Sequence, residues 1–326
     1  MARPFLGTFP VVLGEGSMYE RLRRGGGASF DPKIAYAGML YDEAGRDVLA
    51  ATHREYLDIG QRHGIPMVAG TPTWRAGAAR IAKSAHAGKP VNADAVRFMK
   101  ELRDTFGQKA AKILIAGVTG PFADGFKPDE APGAEAAAGI HRPQAEALAE
   151  AGVDFFKVQT LPSFAEARGI AKALQSTGLP YVLSFVIRRD GCVLDGTPLD
   201  LAINTIDAET LRPPDSYAVN CVHASVFTAA YMAIRERDPS AAERVLGIDA
   251  NTSAKTPEEL DGLAEIDTEA PADFGDNVAA LHEEFGIAYL GGCCGSSTEH
   301  IAVLAGHLAA PTESALVGKS QVRTSS

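Results

Sequence analysis

The sequence predicts an α/β protein closed into a single-domain (β/α)8 (TIM) barrel, and two observations carry that prediction. Eight short apolar, β-rich runs alternate with Ala-rich, charged stretches of helical period. Alternation of this kind calls for a parallel sheet buried under helices. The chain has 326 residues, and eight such units within that length favour a closed barrel over an open doubly wound sheet.

The elements follow in order. Strands are expected at Val11–Leu13, Met67–Ala69, Ile113–Gly117, Phe155–Val158, Tyr181–Phe185, Tyr217–Val219, Val245–Ile248 and Ala288–Leu290, each a short run of β-branched, aromatic or apolar residues. Helices are expected at Asp47–His63, Asp94–Phe106, Ala134–Ala151, Ser163–Ser176, Ala224–Arg237, Asp276–Phe285 and Thr298–Leu308. In the last of these, Ser296 and Glu299 have capping-box spacing, and Ile301, Leu304, Ala305 and Leu308 recur on one face. The barrel is expected to occupy residues 1–310, and 311–326, small and polar, to form a loose tail. Arg23-Arg24-Gly25-Gly26-Gly27 reads as a flexible loop without the spacing of a phosphate cradle.

Composition narrows the function. Net charge is −10 and 46% of residues are hydrophobic. So acidic a chain is a poor partner for nucleic acid or an anionic membrane surface, and suits a cationic small molecule. It carries no apolar run of membrane-spanning length and no signal-peptide pattern, so the expected location is cytoplasmic. No dinucleotide fingerprint follows the first strand, which counts against a nicotinamide enzyme. A homo-oligomer remains open. The 4 cysteines are Cys192, Cys221, Cys293 and Cys294. In a reducing compartment, clustering of this sort points to a metal or to chemistry rather than to a disulfide framework.

Barrel active sites lie at the C-terminal ends of the strands. Glu15, Thr71 to Arg75, Gln159, Asn220, Cys221, Cys293 and Cys294 all fall just after expected strands. Neighbouring cysteines on a regular strand point to opposite faces. Cys293 and Cys294 can converge only where the backbone leaves strand geometry, and the flanking glycines permit that. Their spacing is wrong for a zinc finger, so a third ligand must come from elsewhere; Cys221 is well placed two strands away. Three thiolates on zinc leave one tetrahedral position open, which suits a substrate thiolate that zinc would ionise. Inert thiols in a tight turn, or a redox pair, are the readings that compete. Cys192, in an Asp-Gly-Cys turn, reads as a small hydrophobe.

These segments also carry a resemblance. Gly291-Gly292-Cys293-Cys294-Gly295-Ser296-Ser297-Thr298-Glu299-His300-Ile301 resembles the C-terminal signature of the homocysteine S-methyltransferase family. Asn220-Cys221 resembles its central motif, Gly14-Glu15-Gly16-Ser17-Met18 its opening segment, Thr71-Pro72-Thr73 its Thr-x-Thr element, and Gly117-Val118-Thr119-Gly120-Pro121 its Gly-Pro element. The double-cysteine motif is highly specific; the others are weak singly but run in order along nearly the whole chain. The resemblance implies zinc held by Cys221, Cys293 and Cys294, and in-line methyl transfer to homocysteine as a step in methionine biosynthesis. It further implies Glu15, Thr71, Thr73, Gln159 and Asn220 around the substrate, with backbone N–H groups at Gly291 and Gly292 holding its carboxylate. No cobalamin or folate domain is expected beside the barrel, so a small sulfonium or ammonium donor, S-methylmethionine or S-adenosylmethionine among them, is expected. The implied partners are thus a small-molecule thiol and a cationic methyl donor.

Two departures stand out: Glu15 where the family usually has Asp, and Gln159 where it usually has Glu. A neutral amide at the second position weakens recognition of an ammonium, so a thiol other than homocysteine, or a zinc- and thiol-binding regulatory protein, remains an alternative. Trp74 could cover a cationic donor or pack the barrel mouth. Residues 121–133, with Phe122 and Phe126, could form a lid. Arg75 is expected to start a helix, His223 to stay off the metal, and His300 to be a solvated helix residue.

Overall fold

A computed structural model describes residues 5–24, 30–256, 259 and 267–309; the expected tail at 311–326 and Gly25 to Gly27 lie outside these. Eight strands, β1 (Val12–Leu13), β2 (Met67–Gly70), β3 (Ile113–Thr119), β4 (Phe155–Leu161), β5 (Tyr181–Phe185), β6 (Ser216–His223), β7 (Val245–Asn251) and β8 (Tyr289–Gly292), close in sequence order into one barrel. Every pairing is parallel, including β8 with β1. All eight strands coincide with the expected ones. Several run further at their C-terminal ends, into the residues singled out for chemistry.

The two-residue period of the strands sorts their side chains into two layers. Val12, Val68, Val118, Phe155, Val182 and Tyr289 form an inner cluster with Leu6. Phe5 and Phe9, from the segment before β1, pack against that cluster and fill the N-terminal end. Alternate residues such as Leu13, Ile115, Phe156, Leu183 and Ile248 join a larger cluster beneath the helices. Each such side chain, fully removed from water, contributes roughly 1.5–3 kcal/mol. Among the helices, Glu43–His63 shows the local logic: Asp42 accepts from Gly45 N–H at its start, and Gly64 at φ 70° turns the chain at its end.

Three expectations need correction. A helix at Leu199–Glu209 joins β5 to β6, where none was expected. Its buried Leu199, Ala202, Ile203 and Ile206 have helical spacing, but Pro198 offers no side-chain cap and Ile203, Thr205 and Ile206 are β-branched, which masked the period. The last helix, Thr298–Ala309, is capped by Ser297 rather than Ser296: Ser297 Oγ accepts from Glu299 N–H at 3.2 Å, and His300 Nδ1 accepts from Ser297 N–H at 3.2 Å. His300 is therefore buried, with Nε2 on the Glu269 carbonyl at 3.2 Å, not solvated. No helix among the described residues is long and apolar enough to cross a membrane.

Candidate active site

The C-terminal ends of β4 and β6 are irregular in the same way. Register shifts fall between Val158 and Leu161 and between Asn220 and Val222. Thr160 (φ 65°) and Cys221 (φ 55°) adopt the left-handed conformation, which costs a non-glycine residue about 1–2 kcal/mol. A bulge re-aims side chains that the pleat would separate. Gln159 and Thr160, and likewise Asn220 and Cys221, thus line one cavity as neighbours.

Asn220 joins the two bulges. Its Oδ1 accepts from Thr160 N–H and Ser184 O–H, both at 2.8 Å. Its Nδ2 donates to Thr160 Oγ1 at 2.9 Å and to Cys221 Sγ at 3.4 Å. The side chain is buried with both ends engaged. Both polar ends are spent on protein groups, and through them Asn220 holds Thr160 and Cys221 in place.

Cys293 and Cys294 follow β8 in a turn. Cys293 N–H donates to the Ala250 carbonyl at 2.7 Å, and Ser296 Oγ donates to the Cys293 carbonyl at 2.7 Å. Gly295 (φ 81°) reverses the chain and donates to Glu20 at 2.8 Å. The sulfurs of Cys221, Cys293 and Cys294 all lie within 4.8 Å of one another. Cys221 and Cys293 are in contact as a disulfide pair, with Cys294 Sγ 4.0 Å from Cys293 Sγ. A disulfide needs two sulfurs; convergence of a third on the same point is what a metal needs. Zn–S bonds near 2.3 Å in a tetrahedron put sulfurs about 3.8 Å apart, close to the Cys293–Cys294 spacing. The donor set therefore fits a soft divalent ion. Burial, and after it Glu20, pushes the Cys294 thiol up to about 12. Cys192 stands apart in its turn, its N–H on Asp190 at 2.9 Å.

The three cysteines line a cavity of roughly 460 Å³ at the barrel mouth. Its floor was not anticipated. Lys157 Nζ sits 2.9 Å and 2.8 Å from the two Asp249 oxygens and also bonds Tyr289 Oη. Tyr289 O–H donates to Asp249 at 2.6 Å, and burial, followed by Asp249, holds that phenol well above its ordinary range. Gln159 Nε2 donates to the second Asp249 oxygen at 3.3 Å. The signal for this floor was present: a lysine inside Phe155-Phe156-Lys157-Val158 and an aspartate inside Ile248-Asp249-Ala250 interrupt strands otherwise buried on both faces.

The structure redistributes the remaining expected residues. Glu15 lines the cavity but is held by His53 Nδ1 at 2.5 Å and Gly70 N–H at 2.9 Å. Thr71 and Thr73 tie β2 to β3. Thr73 donates to the Val118 carbonyl at 2.6 Å, while Thr71 donates to Thr73 at 2.6 Å and accepts from Val118 N–H at 2.9 Å. Neither hydroxyl has a proton left for a substrate, and Thr73 is not part of the cavity lining. Gly292 N–H donates to the Glu15 carbonyl at 2.9 Å, so it is not available for a carboxylate. A side chain at Gly291 would lie 2.7 Å from Asp249 Oδ1, so close approach to the floor requires that glycine.

Around the mouth, Arg75 starts no helix; its guanidinium lies 4.4 Å over the Trp74 ring and donates to the Pro121 and Ala123 carbonyls. Phe122 N–H donates to buried Glu166 at 2.7 Å, so the segment after β3 is pinned at its base. From that segment Asp124, Gly125 and Phe126 reach the cavity; Phe122 does not. His223 caps the helix Ala224–Arg237 and pairs with Glu269 at 3.1 Å, off the sulfur cluster.

A family model described as homocysteine S-methyltransferase matches residues 12–308. The chain is 25% identical over 313 residues to homocysteine S-methyltransferase YbgG of Bacillus subtilis, covering 92% of this chain and 95% of that one. To homocysteine S-methyltransferase of Escherichia coli it is 28% identical over 209 residues, 60% of this chain and 65% of that one. Among solved structures, the metallated form of the homocysteine methyltransferase MmuM from Escherichia coli matches with TM-score 0.71 and 23% identity, over 91% of this chain and 96% of that one.

Proposed function

Because the chain belongs to the homocysteine S-methyltransferase family, we propose that it moves a methyl group from a small sulfonium or ammonium donor to a thiol, homocysteine giving methionine being the family's reaction. The observation that carries this reading is the convergence of Cys221, Cys293 and Cys294 on one point of a cavity sized for small molecules. We assign these three residues as ligands of a zinc ion. When bound there, zinc supplies ionisation of the acceptor thiol at neutral pH, so no general base is needed. For all three cysteines to act as metal thiolates they need a reducing setting, which we propose to be the cytoplasm.

The chain's own residues orient the reactants. Asn220 fixes the Cys221 thiol, and the Gly295 turn fixes Cys294. Tyr19, Tyr36, Trp74 and Phe126 line the cavity; Trp74 already carries Arg75, which leaves Tyr19, Tyr36 and Phe126 to receive a cationic donor, the two tyrosine rings 6.2 Å apart. Holding donor carbon and acceptor sulfur in line within a walled cavity replaces a bimolecular encounter with a pre-oriented one. The test is metal content after purification without chelator, followed by a screen of thiols against S-methylmethionine, S-adenosylmethionine, betaine and dimethylsulfonium donors. Absence of metal, or metal without turnover of any pair, would overturn the proposal.

A further inference from the structure

The α-ammonium of an amino-acid acceptor, drawn down to the buried floor of the cavity, must find an uncommitted carboxylate or several acceptors to replace lost water. Four carboxylates line this cavity: Glu15, Glu20, Asp124 and Asp249. Glu15 has one oxygen on His53 and the other on Gly70 N–H. Glu20 accepts from Gly295 N–H at 2.8 Å and lies 3.9 Å from Arg24. Asp124 accepts from Phe126 N–H at 2.9 Å, within its own loop. Asp249, the most buried of them, receives Lys157, Tyr289 and Gln159 together. Gln159 must present its amide nitrogen to that carboxylate, which leaves only a neutral carbonyl oxygen on its other arm.

The ammonium facing Asp249 is therefore the chain's own. Lys157 is buried, its charge is matched by Asp249, and the floor is electrostatically complete before any substrate arrives. We infer that the floor of the cavity does not read the α-ammonium of its thiol acceptor: its substrate class is small thiols, mercapto-carboxylates included, whether or not they carry an amine, and Lys157 is the residue that sets this specificity. The inference rests on the proposed methyl transfer to a thiol.

The experiment compares homocysteine with its des-amino analogue 4-mercaptobutanoate in the metal-loaded protein, with the donor found in the screen. In parallel, calorimetry measures binding of the two products, methionine and 4-(methylsulfanyl)butanoate, which tests the floor without turnover. The expected kcat/KM and Kd ratios for the two compounds lie within about threefold. Lys157→Met releases Asp249 to take a substrate ammonium and should shift both ratios toward the amino-acid ligand by about tenfold or more. Lys157→Met/Asp249→Asn should abolish that shift, and it keeps the floor neutral should the single variant fold poorly. A wild-type preference for homocysteine and methionine above about thirtyfold would overturn the inference and leave the thiol chemistry standing. Lys157→Met ratios unchanged in a folded, metal-loaded variant would do the same. No methylation of either thiol together with no binding of either product would overturn the thiol reading itself.

Discussion

Replacing Asn220 with alanine tests how the site is assembled. The substitution strips partners from Thr160 N–H, Ser184 O–H and Thr160 Oγ1, three buried groups bonded at 2.8, 2.8 and 2.9 Å. Three neutral hydrogen bonds at about 1 kcal/mol each give a loss near 3 kcal/mol. In a domain of this size, a kcal/mol moves the melting midpoint by roughly 2 °C, so a fall of about 6 °C is expected. The same change removes the donor to Cys221 Sγ and releases two left-handed bulges from each other. Metal retention should therefore fall more steeply than stability. Differential scanning calorimetry and metal titration against a chromophoric chelator read the two effects separately. Asn220→Asp sharpens the comparison: it keeps the accepting oxygen but sets a negative charge beside a thiolate. A variant Asn220→Ala that melts within a degree of wild type and holds metal as tightly would refute the bridging role.

Other expectations follow from the same geometry. Cys293→Ser should abolish metal binding and turnover together while the far-ultraviolet dichroism stays native; retained metal at full stoichiometry would dismiss the ligand assignment. Because the Cys294 thiol is pushed up to about 12, it is protonated at pH 7 in the metal-free protein. Zinc uptake should then release at least one proton, and affinity should rise with pH by about tenfold per unit for each proton displaced. Calorimetry in buffers of different ionisation enthalpy counts those protons, and a count of zero would exclude thiol coordination. Gly295→Ala meets both a left-handed φ of 81° and the Thr252 hydroxyl, 1.9 Å from the added carbon. The loss should exceed about 2 kcal/mol by urea denaturation. Adding Thr252→Ala should recover only the steric part, and an unaffected single variant would show the turn to be adaptable.

The barrel was legible because strand and helix periods are backbone properties carried by local residues. All eight strands and seven of the helices could be placed from them. The helix at Leu199–Glu209 escaped because its start carries no polar cap and its buried face is rich in β-branched residues. The sulfur cluster was legible because two adjacent cysteines between glycines have few structural uses. What escaped around it has one physical origin: a side chain's partners lie on other strands. Thr71 and Thr73 follow a strand as a ligand would, yet their hydroxyls close on Val118. Gln159 was read as a lone neutral substitute for a carboxylate, and only the register of β4 against the rest of the barrel brings it beside Asp249 and Lys157. Sequence spacing cannot reveal that a lysine of the chain pairs with the aspartate on the cavity floor. A charged residue in the middle of a doubly buried strand was the available clue.

The packed lower end of the barrel governs traffic as well as stability. With Phe5, Leu6 and Phe9 packed against the inner cluster, the cavity opens, among the described residues, at the mouth where the sulfurs sit. An acceptor whose tail reaches the Lys157–Asp249 floor lies beneath whatever donor follows it. Under the proposed methyl transfer such a vessel imposes a queue, the thiol entering before the methyl donor and the spent donor stepping out before the methylated thiol, an order that product-inhibition kinetics reads.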